Sequence, residues 1–390
     1  MRALSALIVS CSVTLSASAF AQHLDRNQGA SLPAAESNEL TPQAMATRDI
    51  VIPVTPQFKL GFSGYTRVRV TFTEMDGNAP YVGRNNGFNL ANARLEFNAS
   101  YADKLFVRTS IEGGLDRQNS PNTTVGALSL GLKDAFIAYE PWKCLRFQIG
   151  QFKAPFDAEE LVDTRDLLFI TRAVYADGVR PVEGYYQPGL GIDRELGLRI
   201  SGEKIGTKNV SFSYYAALTN GNADNVTNND NNAPAGFGRL ELFVPYVRIG
   251  AGAYYNPATS GTFPNLFNEN RLGATGDVLF EYRGFMLGGE FLFTQFGFPT
   301  THQADVNAFG AHAQVGYKFG FGLTPAYRIA FYEPNDKINF DQLLYHTLAI
   351  NYDLPQVPLR IMVNGTLTGE QTARSLRNNQ LDFAVQATFP

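Results

Sequence analysis

The segment KLGFSGYTRVRVTFT, residues 59–73, alternates between two kinds of side chain at every second position. A period of two is typical of a β-strand whose two faces meet different surroundings. One face is mostly apolar, and the other carries Arg67 and Arg69. In a soluble sandwich the apolar face would enter a core. In a transmembrane barrel it meets lipid, and the arginines face the lumen.

The same alternation recurs along the chain in about sixteen segments, many near the ~10 residues that a tilted transmembrane strand requires. From this pattern we predict an all-β fold, a sixteen-stranded antiparallel transmembrane β-barrel. The predicted strands cover residues 59–73, 88–101, 104–113, 130–140, 144–151, 194–204, 208–219, 238–244, 247–256, 271–283, 285–296, 306–319, 322–333, 342–353, 358–370 and 380–389.

The predicted connections alternate in length along the chain. Short ones, such as residues 102–103 and 141–143, are followed by long ones, such as 114–129, 152–193 and 257–270. Outer-membrane barrels have short periplasmic turns and longer extracellular loops, whereas a soluble sandwich has no reason to alternate in this way. The even strand number then places both termini in the periplasm.

The longest connection, residues 152–193, is expected to fold into the lumen and to narrow it. Long loops are usually functional or disordered, and this one holds apolar residues that an exposed loop would not keep. Asp157 is a candidate N-cap for a short helix within it. The alternative is a loop packed on an outer rim or at a subunit interface. The apolar residues are Phe156, Leu161, Leu167, Leu168, Phe169, Ile170, Val174 and Tyr175.

The N-terminus has the features of a secretory signal peptide. An apolar stretch at residues 4–15 precedes the small-residue motif Ala19-Phe20-Ala21, which predicts cleavage after residue 21. We therefore predict a signal peptide at 1–21, a flexible periplasmic extension at 22–57 and the barrel at 58–390. The extension lacks a clear period and is rich in Ala, Ser, Gln, Thr and Pro. A short helix or a trimer-forming segment there is the alternative.

Composition and motifs narrow the classes of function. A net charge of −4 argues against nucleic acid as a partner. The few histidines have no metal-ligand spacing, so no metal site is expected. No nucleophile–base pair and no phosphate-binding glycine loop stands out, so neither an enzyme nor a cofactor is predicted. Cleavage would remove Cys11 and leave Cys144 without an internal disulfide partner; a lipoprotein signal at Cys11 is the less favoured alternative.

The alternation also predicts which charged residues line a pore. Inward-facing arginines on the early strands would form a basic wall opposite the acid-rich 152–193 connection, and rings of arginine favour anions in pores. The alternative is that these arginines pair with Glu96, Glu112 and the loop carboxylates and only balance charge. The candidate pore-lining and constriction residues are Arg67, Arg69, Arg94, Arg108, Arg146, Lys153, Arg165, Asp166 and Arg172.

Several runs resemble the phosphate-selective porin O and P family. The most specific is Gly150-Gln151-Phe152-Lys153-Ala154-Pro155-Phe156. Weaker ones are Asn92–Phe97, Leu132–Phe136, Thr219–Asn222 and Asn351-Tyr352. The resemblance covers most of residues 59–390 and implies a sixteen-stranded trimeric channel for anions such as phosphate. The resemblance implies that basic residues in the constriction bind the anion, and Lys153 is the one that lies in the most specific run.

Two features depart from the family pattern. The constriction loop is acid-rich, and the chain ends on Pro390 rather than on the aromatic residue that usually closes a barrel. The expected function is passive diffusion of small hydrophilic solutes, anions such as phosphate among them, across the outer membrane. Lipid, lipopolysaccharide and two further copies of the chain in a homotrimer are the expected partners. A sugar- or organic-acid-specific channel and a closed structural or adhesive barrel are the alternatives.

Overall fold

The computed structural model describes residues 49–78, 82–84, 86–115, 128–173, 190–223, 225–300, 303–370 and 377–389. The predicted signal peptide and most of the predicted extension, residues 1–48, lie outside the described residues. The strands are β1 (Ile50–Pro53), β2 (Phe58–Thr73), β3 (Gly87–Tyr101), β4 (Leu105–Leu115), β5 (Leu128–Trp142), β6 (Leu145–Lys153), β7 (Arg194–Gly206), β8 (Ser211–Thr219), β9 (Ala235–Val244), β10 (Val247–Thr262), β11 (Asn265–Tyr282), β12 (Phe285–Gly297), β13 (Val306–Tyr317), β14 (Leu323–Glu333), β15 (Leu343–Asp353), β16 (Leu359–Glu370) and β17 (Gln380–Phe389).

Strands β2 to β17 form a closed barrel of sixteen antiparallel strands. Each strand pairs with the next in sequence, and the barrel closes where β17 pairs with β2 from Gln380↔Thr73 to Phe389↔Gly64. Closure removes both sheet edges, so every strand finds main-chain partners on two sides, as a hydrocarbon environment demands. The predicted fold class is confirmed.

The two faces of the wall differ in chemistry, as the alternation predicted. On β2 and β3, apolar Val68, Phe72 and Leu95 are exposed on the outer face, while Arg67 and Arg94 are buried on the inner face. A soluble protein has the opposite arrangement, because burying unpaired charge is costly. The apolar outer face is therefore compatible with lipid, and the charged inner face with a polar lumen.

An exposed band of aromatic side chains lies beside the short turns. Tyrosine and tryptophan favour the headgroup level of a bilayer because their rings are apolar and their tips are polar. This band marks the level of one membrane interface. Its members are Tyr101, Tyr139, Trp142, Tyr246, Tyr282, Phe285, Tyr317, Phe319 and Phe321.

Two segments differ from the predicted boundaries. Residues 257–270, expected to be a long loop, instead continue the β10–β11 ladder up to Thr262↔Asn265, with only Phe263-Pro264 between the strands. Strand residues beyond the membrane meet water on both faces. Their Asn and Thr side chains therefore need not alternate with apolar ones, and the pattern that predicts the other strands is absent from this segment. The end of the predicted flexible extension also forms structure, because β1 pairs with β2 from Ile50↔Phe62 to Pro53↔Lys59.

Among the residues that the structure describes, helix occurs only in the connection between β6 and β7. A single turn of α-helix, α1, covers Ala158–Leu161, and a 3₁₀ turn covers Thr164–Asp166. In the described part of the chain, no helix is long and apolar enough to cross a membrane.

Candidate functional site

The connection that follows β6 is described at residues 154–173 and 190–193. Of the apolar residues predicted to bury themselves in it, Val174 and Tyr175 lie outside the described residues. The others are removed from solvent: Leu168 is half-buried, and the rest are fully buried. The fully buried ones are Phe156, Leu161, Leu167, Phe169 and Ile170.

Gly150 at the start of the matched run allows β6 to lie close against β5. It adopts a left-handed backbone with φ of +130°, and a Cβ there would collide with the backbone of Ala135 and Phe136. Only glycine fits such a conformation and approach without strain. The run thus begins within β6, where Gly150 allows close packing on β5, and ends after the chain has left the wall.

The start of the connection is held by two carboxylates. Asp157 caps α1, as predicted, and accepts hydrogen bonds from the backbone N–H groups of Glu160 at 2.7 Å and Ile192 at 3.1 Å. Glu290 of β12 accepts from the N–H groups of Ala158 at 2.6 Å and Glu159 at 3.1 Å. The orphan N–H groups of a helix start are therefore satisfied by a side chain from the barrel wall.

Burial raises the pKa of the Asp157 carboxyl well above its ordinary range, and the nearby carboxyl groups of Glu290 and Glu160 raise it further. Close carboxylates resist joint ionisation, so the folded protein binds a proton at Asp157 more tightly than the unfolded chain does. The stability that this proton contributes is present at low pH and is lost as pH rises above the ordinary Asp value of 3.8.

A pH series should reveal this linkage. We expect the free energy of unfolding in detergent micelles to fall as pH rises above 3.8, by up to about 1.4 kcal/mol per pH unit over the range in which Asp157 is protonated in the folded protein and ionised in the unfolded chain. Asp157→Asn keeps a capping side chain that cannot ionise, so its pH slope should be shallower. Urea unfolding of both proteins, followed by tryptophan fluorescence, measures the two slopes. Equal slopes would remove Asp157 as their cause.

The later part of the connection is held through its carbonyl groups. Arg67 of β2 donates from Nη2 to Thr164 O at 2.7 Å and from Nη1 to Ile170 O at 3.3 Å. The same guanidinium donates to Gln386 Oε1 of β17 at 2.5 Å. One buried arginine thus ties two strands to two turns of the connection.

Side chains from the last strands add further bonds to the connection. Asn351 Nδ2 of β15 donates to Leu168 O at 2.7 Å, and Tyr345 Oη donates to Ala173 O at 2.8 Å. Arg360 Nη1 of β16 and Gln386 Nε2 both donate to Arg165 O at 3.0 Å. Main-chain acceptors that a loop would otherwise leave to water are therefore paired with the wall.

Charged pairs join the connection to β3 and β4. Arg94 Nε lies 2.6 Å from Glu112 Oε2, and its Nη1 lies 3.9 Å from Asp163. Arg165 Nη2 lies 2.5 Å from Glu96 Oε2 and 3.0 Å from Asp163. The contacts of Arg94 are those of the charge-balancing alternative for the wall arginines, and Arg165 pairs from the connection with Glu96 of the wall.

The remaining candidate residues fall into different surroundings. Arg69 donates to Asn89 at 3.2 Å and lies 3.9 Å from Asp382. Arg108 donates to Asn98 at 3.0 Å, and Arg146 lies over the Phe106 ring at 5.3 Å. Within the connection, Arg172 lies 3.2 Å from Glu160, Lys153 donates to Val162 O at 2.8 Å, and Asp166 lines a cavity.

A second buried charge cluster lies on β9 to β11, which the sequence did not single out. Arg239 Nη2 lies 2.7 Å from Asp277, its Nε donates to Glu241 at 3.0 Å, and its Nη1 donates to Phe156 O at 2.8 Å. Arg248 also reaches Asp277, at 3.0 Å. The alternation places these residues inward, but only closure of the barrel brings them to Phe156.

A small cavity of about 70 Å³ separates the connection from β10 to β13. Glu159 and Asp166 line it from the connection, and Arg248, Glu290 and His312 line it from the wall. No group of three or more His, Cys, Asp or Glu side chains able to hold a metal ion occurs among the described residues.

Solved porins share this architecture at low sequence identity. An anion-selective porin from Comamonas acidovorans has a TM-score of 0.59 at 12% identity, with 85% of this chain and 100% of that chain covered. The outer membrane channel DcaP of Acinetobacter baumannii has a TM-score of 0.57 at 13% identity, with 87% and 99% covered. OmpT of Vibrio cholerae, in its trimer form, has a TM-score of 0.56 at 11% identity, with 85% and 100% covered.

The sequence itself is matched by one family model. No curated protein sequence matches the chain. The model for phosphate-selective porin O and P matches residues 62–385, which include β3 to β16 and more than half of β2 and of β17. With so much of the barrel matched, this chain belongs to the phosphate-selective porin O and P family and is an outer-membrane channel for passive diffusion.

Proposed function

We propose that the channel passes small hydrophilic solutes with a preference for anions, and that residues 154–173 constrict its lumen. The observation that carries the constriction is that strands from opposite sides of the barrel hold this one segment. Arg239 and Glu290 bond to residues 156–159, while Arg67 bonds to Thr164 and Ile170.

The strand order gives the positions of these bonds around the barrel. β9 and β2 lie seven places apart in a closed ring of sixteen strands, so they lie nearly opposite each other. The bonding groups belong to the buried, polar face of the wall. A loop packed on an outer rim or on a neighbouring subunit could not reach that face from both sides. The contacts therefore support a segment that crosses the interior.

Four of the five acidic side chains of the segment make contacts within it or with the wall. Asp157 caps α1, Asp163 pairs with Arg165, Glu160 pairs with Arg172, and Glu159 accepts from Arg328 at 3.1 Å. A carboxylate paired in this way adds little negative potential to the solute path. An acid-rich loop is thus compatible with anion passage.

Arg69 is the candidate we favour for attracting anions. It faces inward on β2, it is partly exposed, and its nearest carboxylate, Asp382, is 3.9 Å away. A unit charge ~8 Å from the ion path in water is worth about 0.5 kcal/mol, or a factor of about two in relative permeability. Such a charge is partly screened at ordinary salt, so low salt shows it best.

Neutralising Arg69 should move ion selectivity toward cations. For Arg69→Gln we expect the anion-to-cation permeability ratio in a KCl gradient to fall by about two-fold. Arg283→Gln is the matched control, because Arg283 lies in an exposed turn between β11 and β12. Reversal potentials of both variants give the ratios. An Arg69→Gln channel with the unchanged ratio would exclude Arg69 from ion selection.

The function as a whole is tested by single-channel recording in a planar bilayer. A KCl gradient should give ohmic steps with an anion-signed reversal potential, and added phosphate should reduce the current. Steps without ion preference would leave a general diffusion channel and remove the anion claim. Correctly folded protein that gives no steps would favour a closed structural barrel.

The biological setting we propose is a homotrimer in the outer membrane, exported through a signal peptide at residues 1–21. One structural neighbour is described as a trimer. The exposed aromatic band and the apolar outer face support contact with phospholipid and lipopolysaccharide. Mass spectrometry of the mature protein and of the native assembly tests the cleavage site and the trimer.

A further inference from the structure

The turn that follows β8 lies in close contact with β10. Gly221 has a left-handed backbone with φ of +75°, and a Cβ there would collide with Asn256 Oδ1. Only glycine allows both the conformation and the approach. The Asn256 side chain in turn donates from Nδ2 to Gly221 O at 2.8 Å. The backbone of the turn therefore lies directly against the amide group of Asn256.

A carboxylate of β7 holds the same turn from the other direction. Glu195 Oε1 accepts a hydrogen bond from the backbone N–H of Ala223 at 3.1 Å. In the sheet, β7 is the neighbour of β8 on one side, whereas β10 lies beyond β9 on the other. Glu195 is 3% exposed and Asn256 is 5% exposed. Two polar side chains are thus withdrawn from solvent where they meet the turn.

This contact lies at the extracellular rim of the barrel. β7 has 13 residues, from Arg194 to Gly206, against the ~10 that cross a bilayer. Glu195 is the second residue of β7, and the long connection before β7 belongs to the extracellular side. Ions of the external medium therefore meet the turn at the edge of the membrane.

Three oxygen atoms at this turn have no hydrogen-bond donor among the described residues. They are Glu195 Oε2, Asn222 Oδ1 and Asn256 Oδ1. The two amide groups are fixed in orientation, because Asn256 Nδ2 donates to Gly221 O and Asn222 Nδ2 donates to Asn228 O at 2.6 Å. A buried acceptor without a donor is costly. All three of these atoms are acceptors, and one belongs to a carboxylate.

We propose that Glu195, Asn222 and Asn256 bind a Ca²⁺ ion at the extracellular ends of β7 and β10. Ca²⁺ takes oxygen ligands from carboxylates, amide carbonyls and water, and it tolerates irregular arrangements of them. Two of the three protein ligands are amides, which distinguishes this site from a cluster of His, Cys, Asp or Glu side chains. With a single carboxylate, the dissociation constant should be about 10⁻⁴–10⁻³ M, the range of extracellular calcium modules. The bound ion ties the turn after β8 to β7 and β10.

Isothermal titration of CaCl₂ into the full chain, folded in detergent without lipopolysaccharide, tests the site. We expect the parent protein to bind Ca²⁺, Glu195→Gln to bind it at least ten-fold more weakly, and Asn256→Ala to lose affinity several-fold. Glu74→Gln is the matched control, because Glu74 is an exposed carboxylate just after β2, and it should bind like the parent. A parent protein that binds no Ca²⁺ at 10 mM would overturn the proposal, as would Glu195→Gln with the affinity of the parent.

A variant with an expected gain keeps the test decisive if Glu195→Gln does not fold. Asn222→Asp adds a second carboxylate at the same turn, and the affinity for Ca²⁺ rises with the charge of the ligands. We therefore expect its dissociation constant to fall several-fold, and an unchanged value would count against the proposal. Calcium binding is measured without current. Failure of this proposal therefore leaves the proposed channel function standing, and a barrel that conducts no current leaves the calcium site standing.

Discussion

Replacing residues 158–172 with a short Gly-Ser linker is expected to raise the single-channel conductance several-fold. These residues supply α1, the 3₁₀ turn and the carbonyl groups to which Arg67, Asn351 and Arg360 donate. Conductance follows the narrowest cross-section of a pore, so removing the obstruction should widen the path and weaken ion selectivity together. Planar-bilayer recording in symmetric KCl measures both.

The matched control shortens an extracellular connection by the same means. Residues 226–232, between β8 and β9, are almost all exposed. Their replacement should leave conductance within the spread of the parent channel. If both shortened proteins conduct like the parent, residues 154–173 do not constrict the path, and an outer-rim position for them regains favour.

Arg67→Ala is expected to destabilise the barrel by about 3 kcal/mol. The guanidinium is fully buried and donates to Gln386 Oε1, Thr164 O and Ile170 O. Alanine would leave those acceptors without their charged donor and open a cavity between β2, β17 and the 154–173 segment. The midpoint of urea unfolding, followed by the loss of the compact form on unheated gels, measures the change.

Two further variants sharpen this result. Arg67→Lys keeps the charge and loses the planar fork, so we expect an intermediate loss of stability. Arg283→Ala removes an arginine from an exposed turn and should change stability by less than about 0.5 kcal/mol. If Arg67→Ala is as stable as Arg283→Ala, the hydrogen bonds of Arg67 make no net contribution to the free energy of unfolding. Open-channel noise should rise in Arg67→Ala if the freed segment moves.

The strands could be predicted because lipid and a polar interior impose opposite demands on neighbouring side chains. β17, for example, was placed at 380–389 by its alternation alone and has these bounds. The same logic failed where lipid ends, as in the upper ladder of β10 and β11. It also missed β1, whose four residues are too few for a period and whose pairing depends on where β17 stops.

The candidate site was predictable only in part. The alternation predicts that Arg67 and Arg94 lie on the inner face, because that property belongs to each strand separately. Their partners depend on closure of the whole ring, which brings Glu290 to the start of α1 and Arg67 to Thr164 and Ile170. Long-range contacts of this kind leave no trace in local sequence pattern.

The β10–β11 hairpin is longer than a bilayer requires, so part of it extends beyond the lipid. Its strands have 16 and 18 residues, against the ~10 that cross a bilayer. Roughly six to eight residues of each strand therefore project, which carries the tip ~15 Å beyond the lipid. Phe263 at that tip is 88% exposed. Substitutions at this tip are therefore expected to leave the apolar outer face and the buried charge pairs of the wall unchanged.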